Sequence, residues 1–249
     1  MENLREWNKI QESFFDQLSV EYGGFDFSAE SSDSKRFSNQ FIDFLELGTN
    51  RSVVEFGCGR GEWIIKLAGR GFPVTGIDIS QGSLVVLRKD LEKSNLGRRV
   101  ELIRFDVQGE IETMVGQKKF DTVYCYNLLH HVLSREKVVS NMVKVTAAGG
   151  CVVAYEPNPF HWWWYVCPFF DAKFKWSVEK GLLRTPPTAI KKIFEAVGLK
   201  RIEIVPVDYF PFIAPERTNY LTNYLSVLFS KLPVAKYLSA VYLIKGYRI

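Results

Sequence analysis

The chain contains few histidines, cysteines and methionines: three, four and three of its 249 residues. Its cysteines are widely spaced and form neither a CxxC pair nor a Cys/His zinc pattern, which argues against a structural zinc site. They are Cys58, Cys125, Cys151 and Cys167. We interpret them as buried, reduced thiols of a cytoplasmic protein. No apolar run reaches the roughly 18 residues of a membrane span, and the charged N-terminus lacks the apolar core of a secretory signal, so we expect neither.

Glycine and proline are also modest in number, at 18 and 10 residues. This excludes a collagen-like or low-complexity chain, and the 47% of hydrophobic residues is enough to build a core. Single α/β domains commonly reach about 250 residues. We therefore expect residues 1–249 to form one domain.

The net charge of +4 is weak, but its distribution is uneven. Residues 157–249 carry +7 and residues 1–156 carry −3. The basic surface therefore belongs to the C-terminal part of the chain. Because no clustered basic stripe accompanies it, we expect no nucleic-acid partner.

Short apolar runs alternate with amphipathic stretches from residue 52 onwards, a pattern typical of βαβ units. The runs predict seven strands, at 52–56, 73–79, 100–106, 120–127, 149–156, 201–210 and 240–249. The alternation stops at 157–185 and at 211–239, which predicts insertions after strands five and six. The first 50 residues are expected to form a helical cap, and Thr185 to cap a helix that starts at Pro186.

The first predicted strand runs into a glycine-rich turn of sequence EFGCGRG, from Glu55 to Gly61. Glycines allow a tight strand-to-helix turn and let a ligand approach the main chain beside the positive end of the next helix. A dinucleotide-binding GxGxxG pattern would require a third glycine at position 62, where Glu62 stands. The spacing therefore disfavours a nicotinamide-dependent oxidoreductase, and no Tyr-x-x-x-Lys pair is present either.

This turn resembles the first motif of the class I S-adenosylmethionine-dependent methyltransferases, an acidic residue followed by GxGxG. Three further elements fall in the family's order: Asp78 at the end of strand two, Asp106 after strand three, and the segment FDTVYCYNLLHHV around strand four. The resemblance covers residues 50–209 and the terminal strand. It implies an α/β Rossmann-like fold: a seven-stranded, mostly parallel sheet with helices on both faces and an antiparallel last strand.

The resemblance also implies S-adenosylmethionine as the cofactor and S-adenosylhomocysteine as its product. Asp78 would accept hydrogen bonds from both ribose hydroxyls, and Asp106 would approach the adenine amine. Capping of the next helix and of the next turn are the structural alternatives for these two carboxylates. The predicted cofactor-binding residues are Glu55, Gly57, Cys58, Gly59, Gly61, Asp78, Ile79, Asp106, Val107, Asn127 and Leu128.

Methyl transfer requires the protein mainly to align a nucleophile with an already activated methyl group. Histidine suits a base for a hydroxyl acceptor near neutral pH. His130 and His131 follow strand four, at the sheet edge where ligands bind in such folds, and are the predicted catalytic residues; a hydrogen-bonded structural role is the alternative for His131. Quinone-pathway members of the family carry an acidic pair here and are thought to use a metal. Because Asn127 and His130 stand at those positions, we predict no metal.

The first insertion is rich in aromatic residues, with ten among the 22 residues from Tyr155 to Trp176. We interpret it as a lid over an apolar methyl acceptor, with core packing as the alternative. The predicted acceptor-binding residues are Glu156, His161, Trp163 and Trp164, and Glu156 could instead only order its loop. The aromatic residues, the basic C-terminal part and an amphipathic stretch at 220–232 together suggest peripheral contact with a membrane surface.

From these features we expect an enzyme that O-methylates a hydrophobic or lipid-linked small molecule. Two alternatives remain open: methylation of a soluble small metabolite, and a protein that binds S-adenosylmethionine without catalysis. The sequence predicts neither the acceptor nor the oligomeric state.

Overall fold

The computed structural model describes residues 3–22, 39–48, 51–169, 175–207 and 238–249. Seven strands lie in this part: β1 Val53–Phe56, β2 Val74–Asp78, β3 Val100–Arg104, β4 Phe120–Tyr126, β5 Thr146–Pro157, β6 Lys200–Val207 and β7 Val241–Tyr247. They form one sheet in the order β3-β2-β1-β4-β5-β7-β6. Strands β1 to β5 pair in parallel, whereas β7 runs antiparallel to both β5 and β6. The predicted fold class is confirmed.

The described residues include the α-helices α1 Leu4–Tyr22, α2 Glu62–Gly69, α3 Gln81–Lys93, α4 Glu112–Val115, α5 Arg135–Val145, α6 Trp163–Val166, α7 Trp176–Glu179 and α8 Pro187–Ala196. A further helical stretch occupies 39–44. Three short 3-10 turns lie at Gly97–Arg99, Cys167–Phe169 and Lys180–Arg184. None of these helices is long and apolar enough to cross a membrane.

The central strands are buried on both faces because helices cover each side of the sheet. Side chains alternate along β1, so Val54 and Phe56 belong to one core cluster and Val53 to the other. The first cluster includes Met142 of α5 and Phe194 of α8. The second includes side chains of α2 and α3 and the stretch at 39–44: Ile64, Leu67, Leu84, Leu87 and Phe41.

One helix start differs from the sequence prediction. Helix α8 begins at Pro187 with Pro186 as its N-cap, not at Pro186 with Thr185 as the cap. The residue before a proline disfavours helical angles, so Pro186 stays extended and Pro187 takes the first helical position, where no N–H is needed. Helix α3 is capped by Ser80, whose Oγ accepts from the Ser83 N–H at 3.0 Å.

Helix α1 lies across the carboxyl edge of the sheet and is fastened to α3. One oxygen of Asp16 accepts hydrogen bonds from the Ser80 Oγ at 2.6 Å and from the Gly82 N–H at 2.8 Å. The hydroxyls of Ser19 and Ser83 lie 2.8 Å apart. These contacts join the N-terminal helix to the strand-to-helix turn that follows β2.

The insertion after β5 contains α6, α7 and the turn Lys180–Arg184, which packs against the loop that follows β4. A Cβ atom at Gly181 would lie 1.8 Å from the carbonyl oxygen of His130, so only glycine fits there. Most of the second predicted insertion at 211–239, including the amphipathic stretch at 220–232, lies outside the described residues.

Three cysteines, Cys58, Cys125 and Cys151, are buried and unpaired. Burial raises the pKa of each of these thiols. They are therefore protonated at neutral pH, as expected of core thiols, and they have none of the thiolate character that a nucleophilic cysteine requires.

Candidate functional site

A cavity of about 360 Å³ lies where β1, β2 and β4 end, with α1 above it. This edge of a doubly wound parallel sheet is the usual place for a ligand. The lining residues are Asn8, Gln11, Phe15, Glu55, Gly57, Cys58, Gly59, Arg60, Gly61, Glu62, Trp63, Asp78, Ile79, Phe105, Asp106, Val107, Gln108, Tyr126, Asn127, Leu128, His131 and Val132. All eleven predicted cofactor-binding residues are among them.

The glycine-rich turn forms the floor of the cavity. The N–H groups of Gly57 and Cys58 both donate to the carbonyl oxygen of Ile77, at 2.7 and 3.1 Å, which holds the turn against β2. Gly59 has a φ of 50°, and a Cβ atom built there would meet nothing within 4 Å. The main chain at Gly59 therefore faces open space, where a ligand can approach it closely.

Asp78 is almost fully buried at the end of β2 and points at this turn. Its two oxygens accept hydrogen bonds from the Gly59 N–H at 2.7 Å and from the Ser80 N–H at 2.8 Å. Burial raises the pKa of the Asp78 carboxyl, and these N–H groups offset part of the rise. Because a carboxylate oxygen has more than one lone pair, both oxygens can still accept from a pair of ligand hydroxyls.

Asp106 caps the turn that follows β3 and also lines the cavity. Its Oδ1 accepts from the Gln108 N–H at 2.9 Å, and its Oδ2 accepts from the Asn8 amide at 2.6 Å. The Gln108 amide in turn donates to the Asn8 Oδ1 at 2.8 Å. The turn-capping alternative is therefore realised, and α1 contributes a side chain to the same network.

Glu55 lies beneath the glycine-rich turn at the end of β1, and only 2% of its surface is exposed. The Tyr124 hydroxyl donates to its Oε2 at 2.8 Å. Burial raises the pKa of Glu55 well above its usual range, and the hydrogen bond from Tyr124 opposes that rise. A buried acidic group at this point supports the turn from below.

Glu156, at the end of β5, organises the loop that follows β4. Its Oε1 accepts from the N–H groups of Leu128 and Leu129 at 2.9 and 2.7 Å, and its Oε2 accepts from the His130 N–H at 3.3 Å. Glu156 is fully buried and does not line the cavity. The arrangement favours loop ordering over acceptor contact for this residue.

His130 is a buried imidazole that bridges two carboxylates. Its Nδ1 lies 2.6 Å from an oxygen of Glu156, and its Nε2 lies 3.4 Å from an oxygen of Glu179. Burial alone would lower its pKa, but Glu156 and then Glu179 outweigh it and raise the pKa from 6.5 to about 10. His130 is thus an imidazolium at neutral pH, and it lies behind the cavity wall.

His131 points into the cavity and has the opposite electrostatic character. Burial, followed by the positive charge of His130, lowers its pKa from 6.5 to about 3, so the ring is neutral at physiological pH. Its Nδ1 is buried and has no hydrogen-bond partner among the residues that the structure describes. The Trp7 indole donates to the His131 carbonyl at 2.6 Å, and the Phe15 ring packs edge-on against the imidazole, with 5.2 Å between centroids.

His130, His131 and Glu179 each offer one donor atom to a cluster in which all three atoms lie within 4.8 Å of one another. Two imidazoles and a carboxylate are a donor set that divalent transition metals accept. A metal here would have to displace the proton that holds His130 between Glu156 and Glu179. The absence of a metal from this site stays a prediction.

The other predicted acceptor-binding residues lie away from the cavity lining. The His161 ring is buried, and its Nδ1 accepts from the Trp163 N–H at 3.2 Å. The Trp164 indole donates to the Ala240 carbonyl at 2.8 Å, which ties the start of the insertion to β7. Their part in acceptor binding stays a prediction.

Helix α1 also lines the cavity, which the sequence did not predict. Asn8, Gln11 and Phe15 recur at a spacing of three to four residues and so share one face of the helix. The Gln11 amide also donates to the Val178 carbonyl at 3.1 Å, so α1 joins the cavity to the insertion. The only signal was the helical spacing, which indicates a buried face but not what that face covers.

A family model described as a methyltransferase domain matches residues 53–150. The ubiquinone biosynthesis O-methyltransferase of Psychrobacter arcticus is 34% identical over 175 residues, which are 67% of this chain and 66% of that protein. An O-antigen chain terminator bifunctional methyltransferase/kinase of Escherichia coli is 27% identical over 146 residues, which are 52% of this chain and 20% of that protein.

Solved structures agree in fold. The magnesium protoporphyrin IX methyltransferase of Synechocystis, with S-adenosylhomocysteine bound, superposes with a TM-score of 0.62 over 98% of this chain and 100% of that one, at 16% identity. At this identity the likeness concerns the fold alone. The matched domain, the relatives, the strand order and the acidic glycine-rich turn all agree: the chain belongs to the class I S-adenosylmethionine-dependent methyltransferase family.

Proposed function

We propose that this chain transfers the methyl group of S-adenosylmethionine to an oxygen atom of a hydrophobic or lipid-linked small molecule. The observation that carries the proposal is one continuous cavity. Its lining includes the Asp78 carboxylate, which two main-chain N–H groups hold, and the neutral ring of His131.

The cofactor fits the end of the cavity formed by the glycine-rich turn. The open space at Gly59 admits a ligand against the main chain, and Asp78 offers two oxygens to the ribose hydroxyls. Asp106 has both oxygens at the rim, where its remaining lone pairs can accept from the adenine amine. Asn127 and Leu128 border the methionine part. The binding site is already arranged in the absence of a ligand, so cofactor binding requires little reorganisation of the protein.

The bound cofactor supplies a methyl group already activated by its sulfonium. With the cofactor bound, the cavity lining would hold the acceptor oxygen in line with the methyl group, so that a carbon–oxygen bond could form as the carbon–sulfur bond breaks. The neutral ring of His131, which lines the cavity, contacts the acceptor beside its hydroxyl and orients it. Because the pKa of His131 is about 3, the ring is a weak base, and the proton leaves to solvent as the ether forms.

The apolar part of the lining favours a hydrophobic acceptor. It includes Phe15, Trp63, Phe105, Tyr126 and Leu128. Aromatic walls bind a planar or extended apolar molecule by burying its surface and leave the few polar groups to fix its orientation. A soluble polar metabolite is the second candidate acceptor, and binding without catalysis is the alternative function.

Contact with a membrane surface is part of the same proposal. Large aromatic side chains of the first insertion are exposed: Phe160 at 58%, Trp162 at 50%, Phe169 at 84% and Trp176 at 44%. Tryptophan and phenylalanine in such positions insert at the level of lipid headgroups, where a hydrophobic acceptor would be available. The test is sedimentation with anionic vesicles at low salt. We expect binding that weakens in Trp162→Ser but not in Met114→Ser, an exposed apolar control on α4; no binding by the unaltered protein would refute the contact.

The activity is tested by transfer of a labelled methyl group from S-adenosylmethionine to fractionated lipid extracts and to pooled polar metabolites. We expect label in the apolar fraction, lost in Asp78→Ala and retained in Glu92→Gln, an exposed acidic control on α3. Label only in the polar fraction would mean that the acceptor is a soluble metabolite and not a hydrophobic molecule. Binding of the cofactor without any transfer would favour the non-catalytic alternative.

A further inference from the structure

Arg135, the first residue of α5, carries a guanidinium that the described residues leave poorly compensated. Its Nε and Nη1 are buried and have no hydrogen-bond partner. Its ion pair is with Glu136, whose Oε1 lies 4.0 Å from Nη2 and whose side chain is 63% exposed. A contact of that length to a solvated carboxylate contributes little.

Three unfavourable effects meet at this cation. Burial lowers the pKa of Arg135, and the neighbouring Arg184 guanidinium lowers it further. The positive end of the α5 dipole lies at the same residue, which disfavours a cation. Buried charges in proteins are normally paired, and an unpaired one marks a missing partner.

The other groups that face Arg135 are already engaged. Glu156 attracts it, but that carboxylate accepts from three main-chain N–H groups and from His130. The Tyr242 hydroxyl donates to the Thr185 carbonyl at 2.8 Å. No anion of the described residues therefore neutralises Arg135 at close range.

A second cation reaches the same place from the insertion. One nitrogen of Arg184 donates to the Leu133 carbonyl at 2.6 Å, two residues before Arg135. Lys180 lies over the Trp7 ring, 4.5 Å from its centroid, and Arg184 lies 5.5 Å from the same centroid. Basic groups of two separate elements thus converge beside His131 and Val132, which line the cavity.

We infer that Arg135 and Arg184 bind an anionic group, a phosphate or a phosphate ester, carried by the methyl acceptor. The inference rests on the proposed function and narrows its acceptor class to an amphipathic acid, with an apolar body in the cavity and a charged group beyond His131. Because Nε and Nη1 of Arg135 are buried, this binding requires the insertion that carries Arg184 to shift away from the loop after β4.

The test measures the melting temperature of the full chain with inorganic phosphate against chloride at equal ionic strength. At ten times its dissociation constant, phosphate should raise the melting temperature by about 3 °C. Arg135→Gln should lose this rise, and Arg98→Gln, an exposed control, should keep it. Without phosphate, Arg135→Gln should melt no lower than the unaltered protein, because it removes a charge that no anion of the described residues neutralises at close range.

Dodecyl phosphate below its micelle concentration distinguishes the source of the anion. If dodecyl phosphate raises the melting temperature more than phosphate does, and neutral dodecyl maltoside does not raise it, the anionic group is carried by a lipid. If dodecyl phosphate and phosphate raise the melting temperature equally, the anion is free phosphate. No rise in the unaltered protein, or an equal rise in Arg135→Gln, overturns the inference. Calorimetry with S-adenosylhomocysteine distinguishes the two proposals. If S-adenosylhomocysteine binds but phosphate does not raise the melting temperature, only the anion site is refuted. If neither ligand binds, both the anion site and the proposed function are refuted.

Discussion

At the scale of single residues, the glycine-rich turn holds the Asp78 carboxylate in position before any ligand binds. Two N–H groups fix the Asp78 carboxylate, and one of them belongs to Gly59 of the turn itself. The glycine spacing could be recognised in the sequence because it indicates a tight strand-to-helix turn, whereas Asp78 was identified through the resemblance to the methyltransferase family.

Asp78→Ala should weaken the binding of S-adenosylhomocysteine by about 100-fold, since charge-assisted hydrogen bonds contribute about 1.5–3 kcal/mol each. Isothermal titration calorimetry measures the change, with Glu92→Gln as the matched control. An unchanged affinity in a folded Asp78→Ala protein would remove this carboxylate from the ribose site.

The two adjacent histidines have pKa values that are shifted in opposite directions because they share one set of charges. His130 is held as an imidazolium by Glu156 and Glu179, and its charge helps keep His131 neutral. His130→Asn should therefore raise the pKa of His131 from about 3 towards 6.5. An NMR titration of the labelled histidine rings measures it, and a pKa that stays near 3 would mean that burial alone sets its value.

A chelator provides a separate test of the histidine pair. We expect that dialysis against EDTA leaves both the methyl transfer and the melting temperature unchanged, because His130 already holds a proton between two carboxylates. Loss of activity that zinc or magnesium restores would show that His130, His131 and Glu179 hold a metal, contrary to the prediction.

At the scale of elements, α1 is the part of the site that the sequence could not reveal. Asn8 meets Asp106 across 98 positions of the chain, and Trp7 meets His131 across 124. No local pattern encodes contacts at such separations, whereas the alternation that predicted the strands is local. The start of α8 was missed by one residue because both Thr185 and Pro186 fit a helix N-terminus in isolation.

Because α1 lines the cavity through Asn8, Gln11 and Phe15, bound S-adenosylhomocysteine should slow its opening. At ten times the dissociation constant we expect amide exchange in Leu4–Tyr22 to slow by about tenfold. Hydrogen exchange with mass spectrometry gives the rates, and α8 on the far face serves as the internal control. Equal rates with and without ligand in α1 would mean that the helix does not cover the bound cofactor.

At the scale of the whole molecule, the histidine pair predicts a stability maximum near pH 6.5. Above that pH the native state holds a proton on His130 that the unfolded chain has lost, so the free energy of unfolding falls as the pH rises towards 10. Below it the unfolded chain protonates His131 while the native state resists until about pH 3, so stability falls again. Urea unfolding at pH 5, 6.5 and 8.5 measures the profile, and His130→Asn should flatten its alkaline side.

The fold as a whole was predictable because parallel strands with helices between them repeat one simple pattern. The methyl acceptor was not, since the cavity is lined in part by α1, whose placement depends on tertiary packing. The aromatic residues that the sequence offered for this role, Trp163 and Trp164, are not among the cavity lining.

The most direct test of the account is calorimetric titration of the full chain with S-adenosylmethionine, S-adenosylhomocysteine and NAD in parallel. We expect one site for each of the two adenosyl ligands and no heat with NAD, because Glu62 replaces the third glycine of a dinucleotide turn. Binding of NAD alone, or silence with both adenosyl ligands in a folded sample, would contradict the assignment of the cavity.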